Sequence, residues 1–344
     1  MRRTNFTTWL VALALLVFAS TANALEVEEE TLFVGSGSRE VSILSTTDSE
    51  AFAPVIDAFQ LANPTLTIRY TVANSQEVFA ALQNGDQFDL AISSAMDLQL
   101  KLANDGIASS HASAETARLP RWATWRDQLF AFAQEPVVIV VSSDGFDGLP
   151  MPRTRADLIQ VLRDNPERFA GKIGTYDPQR SGAGYLFATQ DARQSDTSWR
   201  LAEVIGGLDP QLFTASGDMI AGVQNGQLHV ALNVLGSYAT ARLNDDDGFI
   251  IAPEDFTHVL LRTALIPREA REPELGAAFL DFVLSVEGQR LIEEKTGLPR
   301  INEAALAAGP HLRPIRLDPG LLVFIDPLMR QRFLNEWRAA VVQP

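Results

Sequence analysis

The chain has 344 residues, with 43 acidic against 28 basic side chains and a formal net charge of −15 at pH 7. So acidic a surface argues against nucleic acid and anionic lipid as partners, and says nothing against a small anion in a local pocket, where helix amides and one or two arginines act at close range. Its 46% apolar and 21% charged content is that of a folded globular protein, and with no cysteine it has no disulfide framework, no thiolate chemistry and no lipid-anchoring Cys.

Met1-Arg2-Arg3, an apolar run from Trp9 to Ala19 and the small-x-small string Ala22-Asn23-Ala24 make the pattern of an export signal cleaved after Ala24. Losing residues 1–24, with Arg2 and Arg3 among them, carries the net charge to −17. About 320 residues remain, too many for one ordinary core and enough for two lobes. No later segment offers a long uninterrupted apolar run, so a free periplasmic monomer is expected.

Val41 to Leu44 reads as a short strand that delivers Ser45-Thr46-Thr47-Asp48-Ser49 to a helix. Phe52, Val55, Ile56 and Phe59 form that helix's apolar face, and Asn63-Pro64 stops it. The first amides of a helix lack internal partners and carry partial positive charge, so this polar elbow is either an anion site or an ordinarily capped helix. The elbow recurs. Leu66–Val72 is followed by Asn74-Ser75 and a helix closed by Asn84-Gly85, and the strand Phe88 to Ile92 is followed by Ser93-Ser94. Strands alternating with helices predict βαβ units, a mostly parallel sheet, and loops gathered where α/β sheets bind ligands.

Leu129 to Ala133 and Pro136 to Val141 read as two strands, the second without a polar face, fit for a crossing between lobes. Arg155 to Arg163 is helical. Ile173 to Tyr176 is a strand, and Asp177 to Tyr185 leads into a helix through Asp191. There Ser181 can cap, Arg180 supplies a forked cation, and Gly182 and Gly184 serve either close ligand approach or a tight turn. Gly182-Ala183-Gly184 lacks the third glycine of a dinucleotide fingerprint. Ser216-Gly217 opens a helix, Leu228, Val230 and Leu232 alternate as a strand, and Asn233 to Tyr238 is its elbow. Asp245-Asp246-Asp247 is a solvated turn or a calcium loop that lacks a downstream bidentate carboxylate. His258 to Leu261 is a strand, and Thr263 to Pro267 is a second crossing, which makes the first lobe discontinuous. Pro273 to Leu284 is an amphipathic helix, and the stripes near Leu328 to Trp337 are packing.

The string Ala278-Phe279-Leu280-Asp281-Phe282-Val283-Leu284-Ser285-Val286-Glu287-Gly288-Gln289, with Ser45 to Asp48, Phe59, Asn63-Pro64 and Asp177 to Tyr185, resembles periplasmic solute-binding proteins of ABC transporters. The resembling group is the ferric-iron and phosphoglycerate type, and the likeness covers nearly all of residues 40 to 340. It implies the type II periplasmic-binding-protein fold: two α/β lobes, each a mostly parallel sheet flanked by helices, joined by two hinge strands around a cleft that closes on its ligand. The expected lobes are 25–136 with 264–344, and 137–263. Iron-binding members of the resembling group carry adjacent tyrosines near the elbow that here reads Gly236-Ser237-Tyr238, which disfavours ferric iron; no metal site is assigned.

The expected ligand is therefore a small phosphorylated or carboxylated anion, held by Thr46, Thr47, Ser75 and Ser94 from one lobe and Arg180, Ser181, Gly182, Asn233 and Tyr238 from the other. The expected partner is an inner-membrane permease; the alternative is a sensor histidine kinase that reads the closed form. No nucleophile elbow, phosphate-loop lysine or metal-spaced histidine points to an enzyme, and no cofactor is implied.

Overall fold

The computed structural model describes residues 25–244 and 246–343. The export signal predicted over residues 1–24 lies outside them, as does Asp245 of the acidic turn. Among the described residues twelve strands form: β1 (Glu29–Phe33), β2 (Arg39–Ser45), β3 (Leu66–Val72), β4 (Leu90–Ser93), β5 (Thr124–Trp125), β6 (Leu129–Ser142), β7 (Ile173–Tyr176), β8 (Gln211–Phe213), β9 (Val230–Leu235), β10 (Gly248–Ile251), β11 (Thr257–Leu265) and β12 (Leu312–Pro314). Their main path is β1-β3-β2-β4-β11-β6-β9-β7-β8.

Within this path β2, β3 and β4 are parallel neighbours, as are β7, β8 and β9. These are the two lobe sheets that the strand-helix alternation predicts. Between them run β6 and β11, antiparallel to each other, with Leu265 to Thr263 of β11 paired to β4. β6 is the longer. Phe130 to Pro136 pair with β11, and Val137 to Val141 pair with β9 of the second sheet. The sequence divides β6 into two strands because Gln134 and Glu135 interrupt its apolar run. The strand instead continues through them, since both side chains are buried with partners: Gln134 accepts from the Asn302 amide at 2.9 Å, and Glu135 is bound by Arg262. Likewise His258 to Leu261 and the predicted crossing beyond Thr263 form one strand, β11.

The predicted helix faces point inward. Phe52, Val55, Ile56 and Phe59 pack with Ile43, Tyr70, Phe132 and Phe279 in the first lobe. Leu158, Leu162, Phe169, Ile173, Leu201 and Val230 form the core of the second. β1, which the period-2 pattern leaves unassigned, is an antiparallel edge on β3. The C-terminal helix Pro327–Val341, assigned from sequence to the first lobe, packs on the Asp196–Gly206 helix of the second. Its Phe333, Leu334 and Trp337 close over Tyr185 and Trp199 in one aromatic cluster.

In the Met96–Asn104 helix, Asp97 is buried and its Oδ1 accepts from the Leu98 amide at 2.9 Å. Burial pushes its pKa up to about 7. The fold therefore holds a proton that the unfolded chain releases above pH ~4, and this residue costs the fold increasing stability from pH ~4 to ~7, then a constant amount. Asp97→Asn should match the wild type near pH 4 and exceed it at pH 8 by on the order of 2–4 kcal/mol. Thermal melts across that range check this, and a difference independent of pH would refute it.

Candidate functional site

The three first-lobe elbows sit side by side. The Thr46 amide donates to the Ile92 carbonyl at 3.1 Å, and Thr46 Oγ1 accepts from the Ser94 amide at 3.1 Å, so the first and third elbows are tied together. Thr47 is fully buried. Its amide is held by Ser45 Oγ at 2.9 Å, and its hydroxyl accepts from Arg262 Nη1 at 2.5 Å. Asp48 occupies the N-cap of the Ser49–Ala62 helix yet makes no side-chain cap bond. It faces the other lobe instead, accepting from the Tyr238 hydroxyl at 3.2 Å and from Arg242, whose guanidinium lies 5.0 Å from the Tyr238 ring centre. In the second elbow Asn74 does the capping, taking the amides of Gln76 and Glu77 at 3.0 and 3.1 Å, which frees Ser75.

Ser75 reaches across the cleft. Its Oγ accepts from the amides of Gly182 and Ala183 at 3.0 and 3.3 Å, the first amides of the Gly182–Gln194 helix. Ser181 caps the same helix through the Gly184 amide at 3.2 Å. The first two helix amides at this elbow are thus engaged by the opposite lobe. Gly182 is required for the approach: a Cβ there would lie 2.7 Å from Leu98 Cδ1 and 2.8 Å from Ser75 Oγ.

Between the lobes lies a cavity of about 310 Å³. Of the residues expected from sequence, Thr46, Ser75, Ser94, Ser181 and Tyr238 line it. Thr47 lies beneath it against Arg262, and Gly182 is at the lobe contact. Two do not come to it. Arg180 stands exposed on the Asp177–Ser181 turn, whose backbone bonds from Arg180 and Ser181 to the Asp177 carbonyl turn the side chain to solvent. Asn233 has a left-handed backbone (φ 59°) that directs its amide to Asp191 Oδ2 at 3.0 Å, inside the second lobe. There burial would raise the Asp191 carboxyl, but Arg155, His258 and Asn233 outweigh it and hold it low.

The cavity also gathers residues that sequence reasoning did not assign to the ligand: Asn74, Ser216, Asp48 and Arg242. Ser216 Oγ accepts from the Leu235 amide at 2.9 Å and bonds the Tyr176 hydroxyl at 2.7 Å. Beneath Tyr238 lies the Glu135–Arg262 ion pair, in which both side chains are essentially inaccessible. The available signal was one lone charge inside each of two apolar strands. Burial pushes the Tyr238 phenol up, partly opposed by Arg262. Glu28, at the exposed mouth, is raised by burial and then by Asp48 and Asp218.

Gly182→Val should force the lobes apart, because its branches would meet Ser75 and Leu98. The expected result is a larger radius of gyration by small-angle X-ray scattering with little change in helix content, whereas Ser75→Ala, which leaves two amides unpaired without a clash, should open the lobes less. An unchanged radius in Gly182→Val would refute the contact.

The description of the bacterial extracellular solute-binding protein family matches residues 42–298. No curated protein matches the chain. A substrate binding protein of an ABC transporter from Agrobacterium tumefaciens is 32% identical, with a TM-score of 0.87 over 91% of this chain and 98% of that one. The same fold recurs in the periplasmic binding protein AfuA from Actinobacillus pleuropneumoniae with fructose 6-phosphate bound (18% identity, TM-score 0.70, 89% and 100% covered). It recurs also in iron-bound HitA from Pseudomonas aeruginosa (17%, 0.65, 88% and 99%). With its two sheets, two crossing strands and interlobe cavity, the chain belongs to the bacterial extracellular solute-binding proteins, the periplasmic components that capture solutes for ABC transporters.

Proposed function

We propose that this protein captures a small organic anion, phosphorylated or carboxylated, in the interlobe cavity and presents the closed form to an inner-membrane permease. The lobes in this reading are 25–136 with the segment following 264, and 137–263, the C-terminal helix docking on the second. The observation that carries the ligand class is the lining: Thr46, Asn74, Ser75, Ser94, Ser181 and Ser216 bring hydroxyls and an amide to one cavity beside Tyr238 and the cation of Arg242. Such groups, few and convergent, orient a small polar ligand. Of the three carboxylates that line the cavity, Glu28 and Asp218 stand at the exposed mouth and Asp48 is paired with Arg242.

Ferric iron fits this lining less well. It demands anionic oxygens, and tyrosine serves it as phenolate. Burial pushes the Tyr176 and Tyr238 phenols up, and both hydroxyls have partners, Ser216 and Asp48. Among the described residues no three His, Cys, Asp or Glu side chains converge to hold a metal ion. AfuA, with its sugar phosphate, is the relative whose ligand suits these donors.

A thermal-shift screen of sugar phosphates, phosphoglycerates, carboxylates, inorganic phosphate and ferric citrate should give a rise with an organic anion. Saturation at about a thousand times Kd adds about 4 kcal/mol to stability. Ser94→Ala and Ser216→Ala should each weaken that ligand roughly 10- to 100-fold by calorimetry, the range for a hydrogen bond to a charged group. A response to ferric citrate alone would overturn the anion reading.

A further inference from the structure

Two facing dipeptides meet across the cleft, Thr47-Asp48 from the first lobe and Ser237-Tyr238 from the second, and they are joined twice. The outer link is direct, from the Tyr238 hydroxyl to Asp48. The inner link runs through the crossing strands. Thr47 Oγ1 accepts from Arg262 Nη1, Arg262 Nε donates to Glu135 Oε1, and Glu135 Oε2 accepts from Ser237 Oγ. Glu135 lies on β6 and Arg262 on β11, so each strand between the lobes supplies one charge, and each charge holds one hydroxyl from a different lobe.

We propose that Glu135 and Arg262 are positioning residues that couple the two ligand elbows, so that the lobes close in one register. The β6–β11 ladder shifts register between Arg262 and Thr263, the local irregularity that re-aims a side chain out of a regular strand. Arg262 Nη2 is buried without a hydrogen-bond partner among the described residues, while Nε and Nη1 donate to Glu135 and Thr47, and the Tyr238 ring centre lies 5.5 Å away. A hinge rotation that separates Thr47 from Ser237 must break one link of this chain. Because both carboxylate and guanidinium are fully buried, the broken end is left among apolar strands rather than hydrated, and this favours the arrangement with every link made. The inference rests on closure of the lobes about β6 and β11 and is independent of the ligand's identity.

Arg262→Met would strand the Glu135 charge and endanger folding, so the test cuts the outer ends of the chain instead. The protein has no cysteine, and pairs introduced at the exposed positions Gln83 and Ala221, on facing lobes, accept spin labels without background. Thr47→Val and Ser237→Ala, each without added ligand, should shift the interlobe distance distribution toward longer values. The double variant should move it no further than the larger single shift, since a chain cut once is already broken. A lowered melting temperature with unchanged distances would reduce the pair to a structural role and overturn the proposal. Additive shifts would overturn the coupling, because the two hydroxyls would then act independently. A failed ligand screen touches neither outcome.

Discussion

The arrangement depends on one buried ion pair at the waist of the molecule. Glu135 and Arg262 stand on the two strands shared by both lobes, and neither side chain reaches water. Burial alone would lower the arginine's pKa, and the facing Glu135 outweighs it, so the guanidinium is held firmly charged. Removing two charges from water offsets much of their attraction, and a buried pair is often no more stable than apolar residues of the same volume. Its contribution is directional. Losing either member leaves the other buried and uncompensated, which costs about 3–5 kcal/mol, so the strands are held to one pairing.

Around that pair, backbone approach and polar satisfaction divide the work. Both second-lobe elbows begin their helices with glycine where a side chain would collide: Gly182 against Ser75 and Leu98, and Gly236 against the Pro136 carbonyl, 2.9 Å from where a Cβ would stand. Closeness of the lobes at these points follows from the missing methyl groups. It also explains why Ser75 can reach the amides of Gly182 and Ala183, the first two of a helix whose Gly184 amide is capped by Ser181. The elbow dipole that a sequence assigns to an anion is here met by a hydroxyl from the other lobe, and the cavity left beside it is lined with side-chain hydroxyls more than with free amides.

Much of this was legible because local physics dominates it. The strand Leu66–Val72, the capped helix that ends at Gly85, the strand Ile173–Tyr176 and the helix Pro273–Leu284 follow from period and capping alone, and the structure places them at those residues. The crossings were harder to read. A period rule ends a strand at Gln134-Glu135, because only a residue more than a hundred positions away makes that acid tolerable. Arg180 and Asn233 illustrate the same limit within the elbows. Residue type marks both as suitable for an anion, while a turn carries one outward and a left-handed backbone carries the other to Asp191. Ser216, read as a plain helix start, gained its place from its partners Tyr176 and Leu235.

In the proposed reading, an acidic protein that takes up an anion faces repulsion at long range and attraction at short range, and the two act over different distances. At physiological ionic strength a surface charge is largely screened beyond about 8 Å, so the net charge of −15 slows the approach of an anion more than it weakens the bound state. Inside the cavity the relevant groups are the hydroxyls of Thr46, Ser94 and Ser216 and the guanidinium of Arg242. Arg242 is already engaged by Asp48, the residue that also receives the Tyr238 hydroxyl across the lobes. An anion that draws Arg242 toward itself must therefore compete with the Arg242–Asp48 ion pair beside the outer interlobe link, while the inner link through Glu135 and Arg262 stays intact beneath it. Ligand selection and lobe contact are thus tied at Asp48, and tight binding requires a ligand whose own bonds to both lobes replace the one it displaces.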